Sequence, residues 1–396
     1  LPKFVNYFYL RLKIQRLLKT KYILFLLAFS IGIKLVYLVL SVSLSEETLY
    51  GSIYEKYIQT ARKYDAYWYE KITENGYPKV SNKKDLGYAN EKEFKQSEWA
   101  FFPFYPKLMS GMKSSLGMNY NSAAFFLSLL FSFLSMLGMF WFSLIYLKNN
   151  KKAFQATILL FIFPFSFYFS MFYTEALFFC FLIFSFIAIH YKKHIALSLL
   201  IVPLILLRPN GLVLLFPLFI YFLEQNDLLS IWKVNWKNLL SKKKLILASA
   251  FISGPITFLL YCFYQYKMTG YPFAFSIAQA GWYRELMFPL LALFRKGDLA
   301  TQFNSIYTLL VIVYAFSIRK KLPLSLNTLL WISIILPLCS GSVTSMTRFI
   351  SIIFPLFLIL SCQLDNFKFK NSIIILIIGL HFLSFSTWIL NMVISN

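Results

Sequence analysis

The chain has 396 residues, of which 59% are hydrophobic, with 45 Phe, 26 Tyr and a mean hydropathy of +0.63. So much apolar surface excludes a soluble globular protein and reads as a polytopic membrane protein. The formal net charge of +23 does not argue for nucleic acid, because the basic residues lie in short clusters between apolar runs, where they set orientation and meet anionic lipid.

Apolar runs of roughly 17–25 residues are long enough to cross a bilayer as helices, and the weak alternation of a barrel is absent. Runs at 22–44, 122–147, 153–171, 174–190, 194–208, 211–224, 245–266, 301–318, 325–340, 349–362 and 371–391 predict eleven spans. The first has no small-residue cleavage site after it and is read as a span, not a signal peptide. The connection at 45–121 carries most of the polar chemistry. Within it, 53–76 predicts one amphipathic helix, with Tyr57, Ala61, Tyr64, Trp68 and Ile72 on one stripe and a stop at Asn75-Gly76. Asp65 lies at the edge of that stripe, whereas Glu55, Glu70 and Glu74 fall on the other side. Further on, FFPFYP (101–106) predicts a bend or short helix in the membrane interface. Arg208-Pro209-Asn210-Gly211 predicts a tight turn between two spans. The lysine-rich stretch 225–244, with Trp232 and Trp236, predicts a short amphipathic helix on the inner surface. The chain shows no internal repeat and reads as a single integral membrane domain over 1–396.

Placing the N-terminus in the cytosol puts 21 of the 39 Lys and Arg in cytosolic clusters and six in the short loops opposite. The acids show the reverse bias, since ten of the 16 lie in the long first connection and Glu175, Glu285 and Asp298 share its side. A reaction centre built from these residues faces away from cytosolic nucleotides.

Each candidate has a plain reading beside a functional one. Asp65 is either a loop carboxylate paired with Arg62, Lys63 or a nearby lysine, or a general base toward an acceptor hydroxyl. Glu98 is either an interfacial acid solvated among headgroups or a hydrogen-bonding group for sugar hydroxyls. Glu175, in FYTEALF, either serves the dipole at a helix start or is a functional ion at membrane depth. Arg348, Arg208 and Arg284 either snorkel to phospholipid or hold a lipid-linked phosphate. His190, His194 and His381 show no spacing for a metal and read as boundary residues. Cys180, Cys262, Cys339 and Cys362 read as small core residues. No Walker loop, G-x-G-x-x-G, G-x-S-x-G or H-E-x-x-H motif occurs.

The run KYDAYWYEKITENGYP followed by WAFFPFYPKLM resembles the start of the PIG-V group, the GPI mannosyltransferase 2 family and its prokaryotic relatives. The likeness continues in order through FYTEALF (172–178), RPNGLV (208–213), FAFSIAQAGWYRE (273–285) and SMTRFISIIFPLF (345–357). The resemblance implies an all-α GT-C glycosyltransferase fold in which the long first non-cytosolic loop carries interfacial helices and the catalytic acid, here Asp65. It implies a polyprenyl- or dolichyl-phosphate sugar donor, classically mannose, and a glycan or glycolipid acceptor. Arg348, Arg208 and Arg284 are then expected on the donor phosphate, and Glu98, Trp68, Trp99, Glu175 and Gln279 on the acceptor or sugar. No cofactor is required, and a divalent metal stays open because Glu98 and Glu175 lie within reach of Asp65. A compact chain without an Asn-x-Ser/Thr sequon favours a prokaryotic homologue in a bacterial plasma membrane over one in the endoplasmic reticulum. The competing classes are a lipid or sugar transporter or flippase, and a binding subunit without catalysis.

Overall fold

Long runs of Leu, Ile, Phe and Ala interrupted only at their polar ends leave helix as the conformation that satisfies the backbone internally. The computed structural model describes residues 2–45, 52–87, 95–230, 233–234 and 241–392, with backbone alone at 2–19, 230, 233–234 and 242–243. Its described residues are almost wholly helical; a two-residue antiparallel pair, Leu229–Ser230 with Lys233–Val234, is the exception. Residues 229–230 and 233–234 are thus extended within the stretch 225–244 where an amphipathic helix is expected; the part of that expectation at 231–232 and 235–240, with Trp232 and Trp236, lies outside the described residues.

Among the described residues five helices are long and apolar enough to cross a membrane: Thr20–Leu44, Tyr120–Leu147, Lys244–Thr269, Leu299–Lys321 and Lys370–Ile389. The other six expected spans appear as shorter helices, among them Asn150–Ile162, Glu175–His190, Asn210–Gln225 and Phe354–Leu364. The 16 residues of Glu175–His190 reach only ~24 Å, short of a bilayer's hydrocarbon core. Two of these short helices, Glu175–His190 and Phe354–Leu364, are buried almost throughout. Irregular backbone at membrane depth is tolerated there because protein, not lipid, surrounds it.

Residues 163–174 show how. The helix expected over 153–171 ends at Ile162, before Phe163-Pro164, and Phe165 takes a positive φ of 68°. The freed polar groups are satisfied across the bundle. Phe165 N donates to Ser384 Oγ at 3.1 Å, Phe172 N donates to the Ala61 carbonyl at 3.1 Å, and Tyr57 donates to the Ser170 carbonyl at 3.1 Å. His381, expected at a boundary, is instead buried between Tyr37 Oη (2.6 Å) and the Phe163 carbonyl (2.7 Å).

The basic clusters gather at the opposite end from residues 163–174. There Tyr146 donates to the Lys321 carbonyl at 3.3 Å and Lys370 donates to Gln155 at 2.9 Å. All four cysteines are free.

Candidate functional site

The helix expected over 53–76 is two helices, Ile53–Ala61 and Asp65–Asn75. Tyr64 between them has φ 48° and ψ −108°, a backbone region costly for any residue with a Cβ. The break changes the register: Ala66, Tyr69 and Ile72 face inward, while Tyr64 is exposed and Trp68 half-buried. Three contacts pin the strained turn. Tyr173 donates to the Lys63 carbonyl at 2.9 Å, and Tyr120 donates to the Ala66 carbonyl at 2.8 Å. Lys63 reaches across the end of the last helix and donates to the carbonyls of Trp388 (2.8 Å) and Ile389 (2.9 Å) and to Asn391 Oδ1 (2.7 Å).

Asp65 thereby becomes the first residue of its helix, where the free N–H groups and helix dipole favour a carboxylate. Its partner is neither Arg62, which pairs with Glu70, nor Lys63. Arg348 donates to Asp65 Oδ2 at 2.6 Å and lies 3.1 Å from Glu175 Oε1. Glu175, fully buried at the start of its own helix, also accepts from Arg208, whose Nε donates to Thr174 Oγ1 at 2.8 Å. Two acids and two arginines from four distant segments therefore form one chain: Asp65, Arg348, Glu175, Arg208. The guanidiniums lie against rings, Arg348 over Tyr173 and Phe349 (both 5.2 Å) and Arg208 over Phe178 (5.5 Å), which adds a cation–π contact to each and orients its plane. Arg208 Nη1 and Glu175 Oε2 are buried without a hydrogen-bond partner among the described residues.

Arg284 joins this group by charge. Its Nη1 donates to Gln279 Oε1 at 2.9 Å. Burial pulls its proton affinity below the ordinary value, the nearby Arg348 adds to that, Asp65 opposes it and Arg208 again lowers it. Three guanidiniums against two carboxylates leave one positive charge uncompensated, so the cluster complements an anion.

The remaining expected residues divide. Gln279 stands beside Arg284 and reaches the Ala100 carbonyl at 3.4 Å. Trp68 stacks on Phe101 with 13° between the rings and meets Trp282 edge-on, forming an aromatic wall next to Asp65 on the same helix. Trp99 is fully buried, stacked on Tyr77 with Nε1 donating to the Pro78 carbonyl at 3.1 Å, so no face of it is open to a sugar. Glu98 is neither headgroup-solvated nor beside Asp65; it pairs with Lys71 at 2.6 Å. FFPFYP bends at 101–103 and starts the short helix Phe104–Leu116, as expected, with Phe102 and Tyr105 packed against protein at no more than 2% exposure. Among the described residues no three of His, Cys, Asp and Glu form a group able to hold a metal ion. Sequence reading did not single out Thr174, Tyr173 and Trp282, although all three lie within the motifs that carry Glu175 and Arg284.

Among comparisons with known proteins, no family model matches the chain and no curated protein matches it. Among solved structures, the oligosaccharyltransferase of Archaeoglobus fulgidus, described as a complex with Zn and sulfate, is similar with 12% identity and a TM-score of 0.39. The likeness covers 91% of this chain and 52% of that one, so the chain spans about half the length of the neighbour it matches.

Proposed function

We propose that the protein is a membrane glycosyltransferase of GT-C type, related to the PIG-V group, that moves a sugar, mannose in the first instance, from a polyprenyl-phosphate carrier to a glycan or glycolipid acceptor. The observation that carries this reading is the Asp65–Arg348–Glu175–Arg208 chain with Arg284 beside it, because it joins one quarter-exposed carboxylate to a net cationic cluster. The ordered motifs that resemble the family contain every member of it.

In this mechanism the carrier phosphate displaces part of the Arg348–Asp65 contact and lies against Arg348, Arg208 and Arg284. The partnerless Arg208 Nη1 supplies a donor already buried. Asp65, freed from Arg348, accepts the proton of the acceptor hydroxyl as that oxygen attacks the anomeric carbon opposite the phosphate. The bond to phosphate breaks, the configuration inverts, and the guanidiniums stabilise the charge on the leaving phosphate. Trp68 and Trp282 offer faces for the sugar or acceptor. The positive-inside bias places the site on the non-cytosolic face, in agreement with a lipid-linked donor.

The test is incubation of the purified protein with radiolabelled polyprenyl-phosphate mannose and membrane lipids, followed by identification of the labelled product. An Asp65→Asn variant should still bind the carrier lipid while transfer falls by about 10²–10⁴-fold, the range for loss of a general base. A transporter would move lipid or sugar unaltered and lose little through the same substitution.

A further inference from the structure

Between the span-length helices Lys244–Thr269 and Leu299–Lys321 runs a segment whose middle part exposes an unusual amount of apolar surface. Leu286 is 96% exposed, Phe294 74% and Phe288 64%, with Leu290 and Leu291 also exposed. This is no slack connection. Glu285 N donates to the Ser340 carbonyl at 3.1 Å, Met287 N to the Cys339 carbonyl at 2.9 Å, and Arg295 Nη1 to the Gly341 carbonyl at 2.9 Å. A turn of helix, Pro289–Ala292, follows, and Ala292 and Leu293 pack inward. The backbone is thus fixed against the end of helix Leu324–Leu338 so that the large side chains point away from protein.

A patch of this kind on a water-facing surface would be an aggregation site. What surrounds it here argues for lipid. The exposed stripes of both flanking helices, Leu260 and Phe263 on one and Ile306 and Leu310 on the other, run toward it and share its character. Arg295 and Lys296 follow it directly, and Lys267 closes the preceding helix, a placement that meets phosphate headgroups. Of the two neighbouring acids, Asp298 is engaged in capping the next helix through Thr301 N at 2.9 Å.

We propose that residues 286–294 form a non-spanning turn embedded in the leaflet at the Asp65 end of the bundle, with Arg295 and Lys296 at its headgroups. The occupant of the surface is bilayer lipid. Arg284 lies two residues before the embedded turn and Trp282 two before that, so insertion sets the height of the arginine cluster to that of lipid phosphates. This inference concerns membrane contact alone and holds or fails whatever reaction the site performs.

The test uses the full chain reconstituted in phosphatidylcholine vesicles containing phosphatidylglycerol. Spin labels are placed singly at 286, 288, 291 and 294 after replacement of the four native cysteines. Collision with oxygen exceeding collision with a water-soluble nickel chelate at these positions is the expected result. Dominant collision with the chelate overturns the proposal, and so does protection from both probes, which would indicate a second copy or a protein partner. Should the cysteine-free chain not fold, Leu286→Trp in the native background serves instead. Its added emission should fall by about half or more in vesicles whose acyl chains carry bromine, as for a side chain held at the acyl boundary. Emission unchanged by bromine overturns the proposal.

Discussion

Glu175 is the residue on which the local balance turns, because it is fully buried and touches both Arg348 and Arg208. Removing it leaves two buried guanidiniums to repel each other with only Asp65 opposing them. Breaking a buried pair from one side typically costs about 3–5 kcal/mol. Glu175→Ala should therefore lower the thermal midpoint markedly in detergent, whereas Asp65→Asn, at a quarter-exposed position, should change it little. Equal midpoints for Glu175→Ala and wild type would show that Glu175 is not the hub. Asp65 and Glu175 also illustrate why the sequence offers candidate acids without their partners, since it pairs Asp65 with Arg62 or Lys63 and the structure pairs it with Arg348. The apolar stripe around Asp65 and the helix start at Glu175 were visible in the chain, but Arg348, 283 positions away, is brought to Asp65 only by the tertiary fold.

At the scale of elements, the site depends on interruptions more than on helices. Gly211 packs so tightly that a Cβ would sit 2.2 Å from the Leu204 carbonyl, and this close approach lets Arg208 turn back toward Glu175. Gly211→Ala should cost about 1–3 kcal/mol by overpacking and lower any transfer activity, measured as midpoint and turnover together. Lys63 caps the last helix while fixing the strained turn before Asp65. Lys63→Met, which keeps the stem and loses three donated bonds, should cost about 1–3 kcal/mol and lower turnover more than carrier binding. Turnover equal to wild type would sever the link between that cap and Asp65.

Helix positions were mostly legible because apolar periodicity and stops such as Gly76 are local. The break at Tyr64 was not, since nothing in Lys63-Tyr64-Asp65 favours a positive φ; Tyr173, Tyr120 and the end of the last helix impose it. The same holds for residues 163–174, where Pro164 marks a stop but the hydrogen bonds that satisfy the irregular crossing come from Ser384, His381, Ala61 and Tyr57, all distant in sequence. Trp99 was misassigned for a related reason: an aromatic beside an acid looks like a sugar platform until Tyr77 is found covering it.

Across the whole molecule the two ends differ in charge, and that asymmetry predicts orientation. In sealed vesicles with the native outside facing out, a membrane-impermeant maleimide should label Lys79→Cys, near the Asp65 end, and not Lys192→Cys, at the basic end. The reverse pattern would place the site in the cytosol and remove the argument for a lipid-linked donor. Beside the five span-length helices among the described residues, Glu175 and Arg348 project from the first turns of Glu175–His190 and Met346–Ser351, and Arg208 directly follows His194–Leu207.

The central claim is that Asp65 receives a proton while the neighbouring arginines release a phosphate. Its most direct measurement is the transfer of labelled sugar from a polyprenyl-phosphate carrier by purified wild-type protein and by Asp65→Asn, with carrier binding measured in parallel. The account predicts labelled product from the wild type, almost none from the variant, and similar carrier binding by both. Equal product from the two proteins, or carrier bound by neither, would contradict it.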